Sequence, residues 1–500
     1  MRSSALNVGD HSELCDLSAA ALREMIGARA ISPVELLESC LRRIEAVNPV
    51  LNAITATCID RARSEARVAE QAVMSGASLG SLHGLPIGIK DLNDTQGLRT
   101  TRGSPLYADH VPEKDDSMVA AVRRAGAIVV GKTNVSEFGV GANTTNPVYG
   151  PTRNPFDPMR TCGGSSGGSA VALATSMLPL CTGTDHGGSL RIPAAFCGVV
   201  GFRPSPSLVP SLRRPLAWIP TSSVQGPMGR TVSDALLLLS AQASDDFHDP
   251  LARPVDPADF RAIEPVDLST LRVAVSEDLG FAPVEPTIRK TFNERVSLFK
   301  SVFKSCVTRS PDMRDADDAF EVIRATILLA AHKERREKHG EKLGPNIIDN
   351  LNQGLKLSAA DVSRGLSRQT KIYRAFQDFF GEFDLLISPT VALPPFPVTQ
   401  ERITHVDGIR MRSYFHWYAL TYGLTLTTHP CISIPCGLEP TGTPFALQVC
   451  GPARADKFVL NVAHTLERYL ASDARTSRPT PCIETLRSRA AAPTVSTARP

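Results

Sequence analysis

The stretch Gly163-Gly164-Ser165-Ser166-Gly167-Gly168-Ser169 is followed about twenty residues later by Gly183-Thr184-Asp185-His186-Gly187-Gly188-Ser189. Two glycine-rich turns, each carrying serine, thus flank an apolar unit. That unit reads as a helix over roughly Ser169–Met177 and a strand over Leu178–Thr182. Glycine lets the backbone come close to a bound group. Successive N–H groups from His186, Gly187, Gly188 and Ser189, converging on one negative atom, have the form that an oxyanion hole needs. A flexible linker has a similar Gly/Ser composition. Linkers, however, do not lie between apolar segments such as Ala170–Ala174 and Leu178–Leu180.

A hydroxyl is a poor nucleophile without a base. His186 stands three residues before Ser189, yet in a tight turn its ring need not face that hydroxyl. The other route is a lysine made neutral by burial, because desolvation lowers a lysine pKa. Lys90 follows the apolar run Leu85-Pro86-Ile87-Gly88-Ile89, which would end deep in a sheet. Against this, a lysine at a strand end is usually a solvated surface residue.

Working outward, residues 16–48 read as two helices. The second is announced by Ser32-Pro33-Val34-Glu35, which supplies an N-cap, a first-turn proline and a capping-box glutamate. A third helix is expected over 59–75 and another near Ser117–Arg124. Short apolar runs at Ala127–Val130, Val199–Phe202, Asp384–Ser388, Cys431–Pro435 and Ala446–Val449 read as buried strands. Alternating helices and buried strands imply an α/β fold, a large mixed β-sheet covered by helices on both faces. Strands near both ends of the chain would feed one sheet, with a helical insertion at about 290–380 between them. Residues 245–270 read as a surface excursion. Residues 1–15 are taken as an N-terminal extension, 16–473 as one domain and 474–500 as a disordered tail.

The composition narrows the classes. Lys+Arg number 54 and Asp+Glu 51, a net charge of +3, too even to imply nucleic-acid or membrane binding. The eleven cysteines form no C-x-x-C pair and no cluster with histidine, so no metal site is expected and the thiols read as reduced and buried. No apolar run reaches the length of a membrane span, and Met1–Asp10 shows no signal-peptide core. A cytoplasmic protein without a cofactor is the expectation.

Two motifs mislead. Gly126-Ala127-Ile128-Val129-Val130-Gly131-Lys132-Thr133 fits the spelling of a P-loop, but its apolar, β-branched interior reads as a strand rather than a phosphate cradle. Gly163–Gly167 fits G-x-S-x-G with Ser165 as nucleophile. That elbow needs a preceding strand, and Arg153–Thr161 holds two prolines and no apolar run.

The motifs taken together resemble the amidase signature family: Gly88-Ile89-Lys90-Asp91, the two glycine–serine turns, and Arg191-Ile192-Pro193-Ala194. The likeness continues through Phe196–Gly201, Ile219-Pro220, Gly226–Thr231, Phe383–Thr390 and Cys431–Pro435, and spans roughly residues 16–470. The resemblance implies a serine amidohydrolase with Ser189 as nucleophile and Lys90 as base. Ser165 would bridge them, joined to Gly164 by a cis peptide. It further implies that Asp185 and Arg191 brace the loop, and it suggests a homodimer. His186 stands where many members of the family carry a small or apolar residue, so its ring either packs or contacts substrate. Asn143, His416, Trp417, Tyr422 and His429 lie in segments that could line the pocket.

The expected reaction is cleavage of a small-molecule, non-peptide amide to a carboxylate plus ammonia or amine. One alternative is the glutamine-hydrolysing component of a tRNA-dependent amidotransferase. That branch commonly carries R-Q-P-A where this chain has Arg191-Ile192-Pro193-Ala194. A non-catalytic scaffold of the same fold is the other.

Overall fold

A computed structural model of the protein describes residues 13–220 and 223–491. The first helices form as their local signals dictate. Ser18 caps Ala19–Gly27, and Ser32 with Glu35 closes a reciprocal capping box on Pro33–Leu51, with bonds of 2.8 and 3.1 Å. The strands in chain order are β1 (Ile54–Thr57), β2 (Pro86–Lys90), β3 (Ile128–Thr133), β4 (Leu180–Asp185), β5 (Val200–Arg203), β6 (Val224–Gly229) and β7 (Arg272–Val275). They continue with β8 (Ser305–Thr308), β9 (Leu385–Pro389), β10 (His405–Val406), β11 (Ile409–Arg410), β12 (Cys431–Leu438) and β13 (Pro444–Cys450).

Eleven of these strands make one mixed sheet in the order β1-β3-β2-β4-β6-β5-β12-β13-β9-β7-β8; β10 and β11 form a separate ribbon. The fold is α/β, a large mixed sheet covered by helices on both faces. β2 runs parallel to β3 and β4, and β7 runs parallel to β8 and β9. The late strands β12 and β13 sit between these two parallel groups and pair antiparallel on both sides. Strands from distant parts of the chain therefore meet at the sheet's centre. β2, β3 and β4 are buried along their whole length, as strands covered by helices on both faces are.

Three expectations need correction. The strand read at Leu178–Thr182 is β4, Leu180–Asp185. Antiparallel pairing with β6 carries it through Gly183 to Asp185, so tertiary pairing overrides glycine's poor strand propensity. The stretch 290–380 is helical in large part but also contributes β8, a short, half-exposed edge strand whose Ser-Cys-Val-Thr sequence has no apolar signature. Finally, the tail is not disordered throughout. Ile483–Ala491 is a helix in contact with Pro33–Leu51, and Leu486 is buried. Arg478 Nε donates to Gly198 O at 2.9 Å, and Arg487 pairs with Glu13 at 2.5 Å. One leucine and two arginines anchor a segment whose overall composition looks unstructured. Residues 1–12 of the extension and 492–500 of the tail lie outside the described residues.

Candidate active site

Lys90 closes β2 and Asp185 closes β4, so both side chains leave the same edge of the sheet. The turns after Cys162 and Asp185 lie over that edge. Close approach explains the glycines here. A Cβ on Gly167 would sit 2.3 Å from Thr144 Oγ1. Gly188, at φ +131°, is in a conformation few side chains adopt and would bring a Cβ 2.3 Å from Thr421 Oγ1.

Lys90 is fully buried. Its Nζ lies 2.9 Å from Ser165 Oγ, 2.7 Å from Ser166 Oγ and 2.7 Å from Thr184 Oγ1. Burial pushes its pKa well below the ordinary lysine value; the Asp185 carboxylate works in the other direction and is outweighed. A neutral amine keeps two N–H bonds and gains a lone pair, so one of the three hydroxyls can donate to Nζ. The Gly164–Ser165 peptide is cis. Ser165 is buried, whereas Ser189 is half-buried, and both line a cavity of about 450 Å³. No side-chain hydrogen bond joins Ser165 to Ser189.

Asp185 is the electrostatic centre of the floor. Arg191 grips its carboxylate with Nε and Nη2, each at 3.0 Å, and Arg203 Nη1 reaches Oδ1 at 3.1 Å. Leu190 N–H adds a bond at 3.2 Å. Burial raises the Asp185 pKa, but the two guanidiniums overcome it and hold the carboxyl far below the usual range. Arg191 continues to Gln448 Oε1 (2.6 Å) and Thr425 Oγ1 (3.0 Å), tying the loop to β13 and to the helix Ala419–Thr427. Asp185 and Arg191 stand out in the sequence. Arg203 and Gln448 do not, because their positions in chain order give no sign that they meet.

One expectation for the backbone changes. Gly188 N–H is donated to Asp185 Oδ1 at 2.9 Å, so it is committed to the brace and not to the cavity. A charged acceptor three residues upstream captures it, as an Asx turn does.

The cavity's wall comes from the helix Ala316–His339, which nothing in the sequence connects with the site. Arg324, Ile327, Leu328, His332 and Arg335 recur at helical spacing on its cavity side. His186 lines the cavity and also packs against the Phe320 ring, at 5.5 Å between centroids. Burial pulls the His332 pKa down to about 3, with Arg335 adding to the effect.

None of the five residues suggested as pocket lining borders this cavity. Asn143 accepts from Thr161 Oγ1 at 2.7 Å and lines, with Trp417, a different cavity. His416 pairs with Asp317 at 3.2 Å, and Tyr422 also bonds Asp317 while stacking on Phe320 at 4.3 Å. His429 is buried among Tyr373, Phe376 and Phe380, and burial lowers its pKa to about 4. Each makes its contacts elsewhere in the fold.

The misleading motifs resolve as expected from their composition. Gly131 and Lys132 lie inside β3, and Lys132 Nζ is buried against Thr95 Oγ1 at 2.9 Å. Arg153–Thr161 forms no strand; its only β-pairings among the described residues are two isolated bridges, one between its ends and one from Arg160 to Pro397.

Comparison with known proteins agrees with this architecture. The Amidase family model matches residues 35–460. An acylamidase of Rhodococcus erythropolis is 30% identical, across 90% of this chain and 95% of its own. The A subunit of the glutamyl-tRNA(Gln) amidotransferase of Chloroflexus aurantiacus is 32% identical, across 93% of this chain and 99% of its own. The crystal structure of a bacterial aryl acylamidase of the amidase signature family superposes with a TM-score of 0.83 at 26% identity, covering 95% of this chain and 99% of that one. The chain belongs to the amidase signature family and is a hydrolase of carbon–nitrogen bonds other than peptide bonds.

Proposed function

We propose that this amidase-family chain hydrolyses a small, non-peptide amide to a carboxylate and ammonia or an amine through an acyl-enzyme on Ser189. The observation that carries the reading is the buried Lys90 Nζ within 2.9 Å of Ser165 Oγ, in the cavity that Ser189 also lines. Neutral Lys90 takes the proton of Ser165 while Ser165 takes that of Ser189, and Ser189 Oγ attacks the amide carbon. With Gly188 N–H held by Asp185, the N–H groups of His186, Gly187 and Ser189 are those assigned to the developing oxyanion. The relay then reverses to protonate the leaving nitrogen, and water releases the acid. Two guanidiniums around one carboxylate leave a net positive charge beneath the oxyanion, which favours its formation. In this reading the chain works as a homodimer and needs no other protein.

Kinship at 32% with an amidotransferase component favours glutamine hydrolysis as a second reading. One panel separates them: amine or ammonia release from glutamine, aliphatic and aryl amides, acyl anilides and urea derivatives. Wild type is run beside Ser189→Ala and Ser165→Ala. Release from a non-glutamine class, lost in Ser189→Ala, supports the proposal. Release from glutamine alone moves the assignment to the amidotransferase. Activity that survives in Ser189→Ala but not in Ser165→Ala makes Ser165 the nucleophile. A folded wild type that releases nothing and takes no serine-reactive phosphonate is a scaffold.

A further inference from the structure

We infer that Arg324 receives a carboxylate on the substrate, so that the preferred amide carries an anionic group a short distance from the bond that is cut. The inference rests on Ser189 being the acyl-bearing residue.

Arg324 is only 4% exposed, yet no acidic side chain among the described residues pairs with it. Among the described residues it makes a single hydrogen bond, from Nη2 to Tyr414 Oη at 2.6 Å, and its buried Nε has no partner. A guanidinium has five N–H donors, and most here are unused among the described residues. The other arginines of the cavity differ. Arg102 and Arg213 reach Asp94, and Arg214 reaches Asp249. Arg335 lacks an acid too, but it is half-buried nearer solvent, and water can serve it. Arg324 alone among them combines burial, charge and vacant donors. An uncompensated buried charge is expensive unless a partner arrives.

Its surroundings explain how the charge is tolerated before a partner binds. The guanidinium lies over the rings of Phe415, Tyr414 and Phe320, at 5.2, 5.6 and 5.9 Å. Cation–π contact offsets part of the lost hydration but leaves the in-plane donors open. Those donors are the ones a carboxylate takes two at a time.

Position supplies the link to chemistry. Arg324 borders the main cavity and also the small enclosed pocket behind the nucleophile, which Gly187, Ser189, Ile192 and Tyr418 line. A carboxylate on Arg324 therefore belongs to the same small molecule as an amide on Ser189. Both residues border that one small pocket, so they lie close together and a short spacer joins a carboxylate on one to an amide on the other.

The test uses matched amides: the monoamide of succinic acid, its methyl ester and butanamide. Wild-type kcat/KM for the acid should exceed that of both neutral amides by about 100-fold, the scale of a buried charge-assisted contact. In Arg324→Gln the ratio should fall towards one, chiefly through KM for the acid. Arg324→Lys should restore part of it. Succinate should inhibit wild type competitively, which tests the site even if a variant misfolds. Phosphonate labelling of Ser189 is followed throughout. Wild type that prefers the neutral amides and ignores succinate overturns the inference. Equal losses for acid and neutral amides in an Arg324→Gln protein that still labels at Ser189 overturn it as well. A wild type that neither labels at Ser189 nor hydrolyses any amide removes the underlying reading first.

Discussion

The floor of the cavity and its helical wall handle buried charge in opposite ways. On the floor, Asp185 lies between Arg191 and Arg203 and takes backbone N–H groups from Gly188 and Leu190 as well. Its charge is answered entirely from within the chain. On the wall, Arg324 rests over aromatic rings with no acid beside it. The difference teaches that rigidity and recognition are placed on different elements. A polar network centred on one fully satisfied carboxylate holds backbone and side chains in one geometry, even though Arg203 Nε and Nη2 have no partner among the described residues; positioning a nucleophile requires such a fixed geometry. A helical face presents side chains that can vary without moving the backbone beneath them. On the proposed mechanism, reaction chemistry belongs to the floor and substrate choice to the wall.

The sharpest way to break this division is Ser189→Ala. Loss of turnover by about 10⁶-fold, with the fold intact by circular dichroism, is expected if the floor alone carries the chemistry. Substantial residual activity would transfer the nucleophile's role elsewhere.

Lys90→Met should cost about 10³-fold and remove the rising limb of the pH–rate profile. On the proposed mechanism, wild-type activity should rise with pH as Lys90 loses its proton. Because burial lowers that pKa, the rise should be complete below the ordinary lysine value of about 10.4. A profile flat from mildly acidic to alkaline pH would count against Lys90 as the base.

Arg191→Met tests the closed character of the floor through stability. Leaving Asp185 with one guanidinium should destabilise the fold by about 3–5 kcal/mol, read as a lower Tm. The sign of the pH dependence follows from the depressed Asp185 pKa. Its contribution is present above the unfolded value of about 3.9 and is lost as pH falls through the folded value. In Arg191→Met the folded value moves up towards the unfolded one, so the loss should be smaller and complete at a higher pH.

Leu328→Ala probes the wall and should be the mildest change. It should alter kcat/KM by roughly 10-fold among amides of different size, while the rate of Ser189 labelling by a small phosphonate holds. A uniform loss across all substrates would mean that the wall also positions the chemistry.

Legibility in the sequence followed the same division. Lys90, Ser165, Asp185, Ser189 and Arg191 lie in short segments with a spelling of their own, and those segments meet in the fold. Arg203 and Gln448 come from β5 and β13, where nothing local distinguishes them from other buried strand residues. The wall was invisible for another reason. Arg324 to Arg335 reads as an ordinary amphipathic helix, and periodicity tells which residues share a face but not what that face borders. The five residues suggested as lining failed likewise: each sits in a plausible segment, but its partner is in another element.

The sequence by itself determined the α/β class, the capped helices, the buried strands and the two glycine–serine turns, because backbone sterics, capping and hydrophobic period act over a few residues. Only the tertiary structure decided that Asp185 captures the Gly188 N–H and that β4 extends as far as Asp185. It alone decided that a distant helix closes the cavity with an arginine lacking an acid. Each of these depends on electrostatic or hydrogen-bond partners that the fold brings together, and such partners leave no trace in local order until the chain has folded.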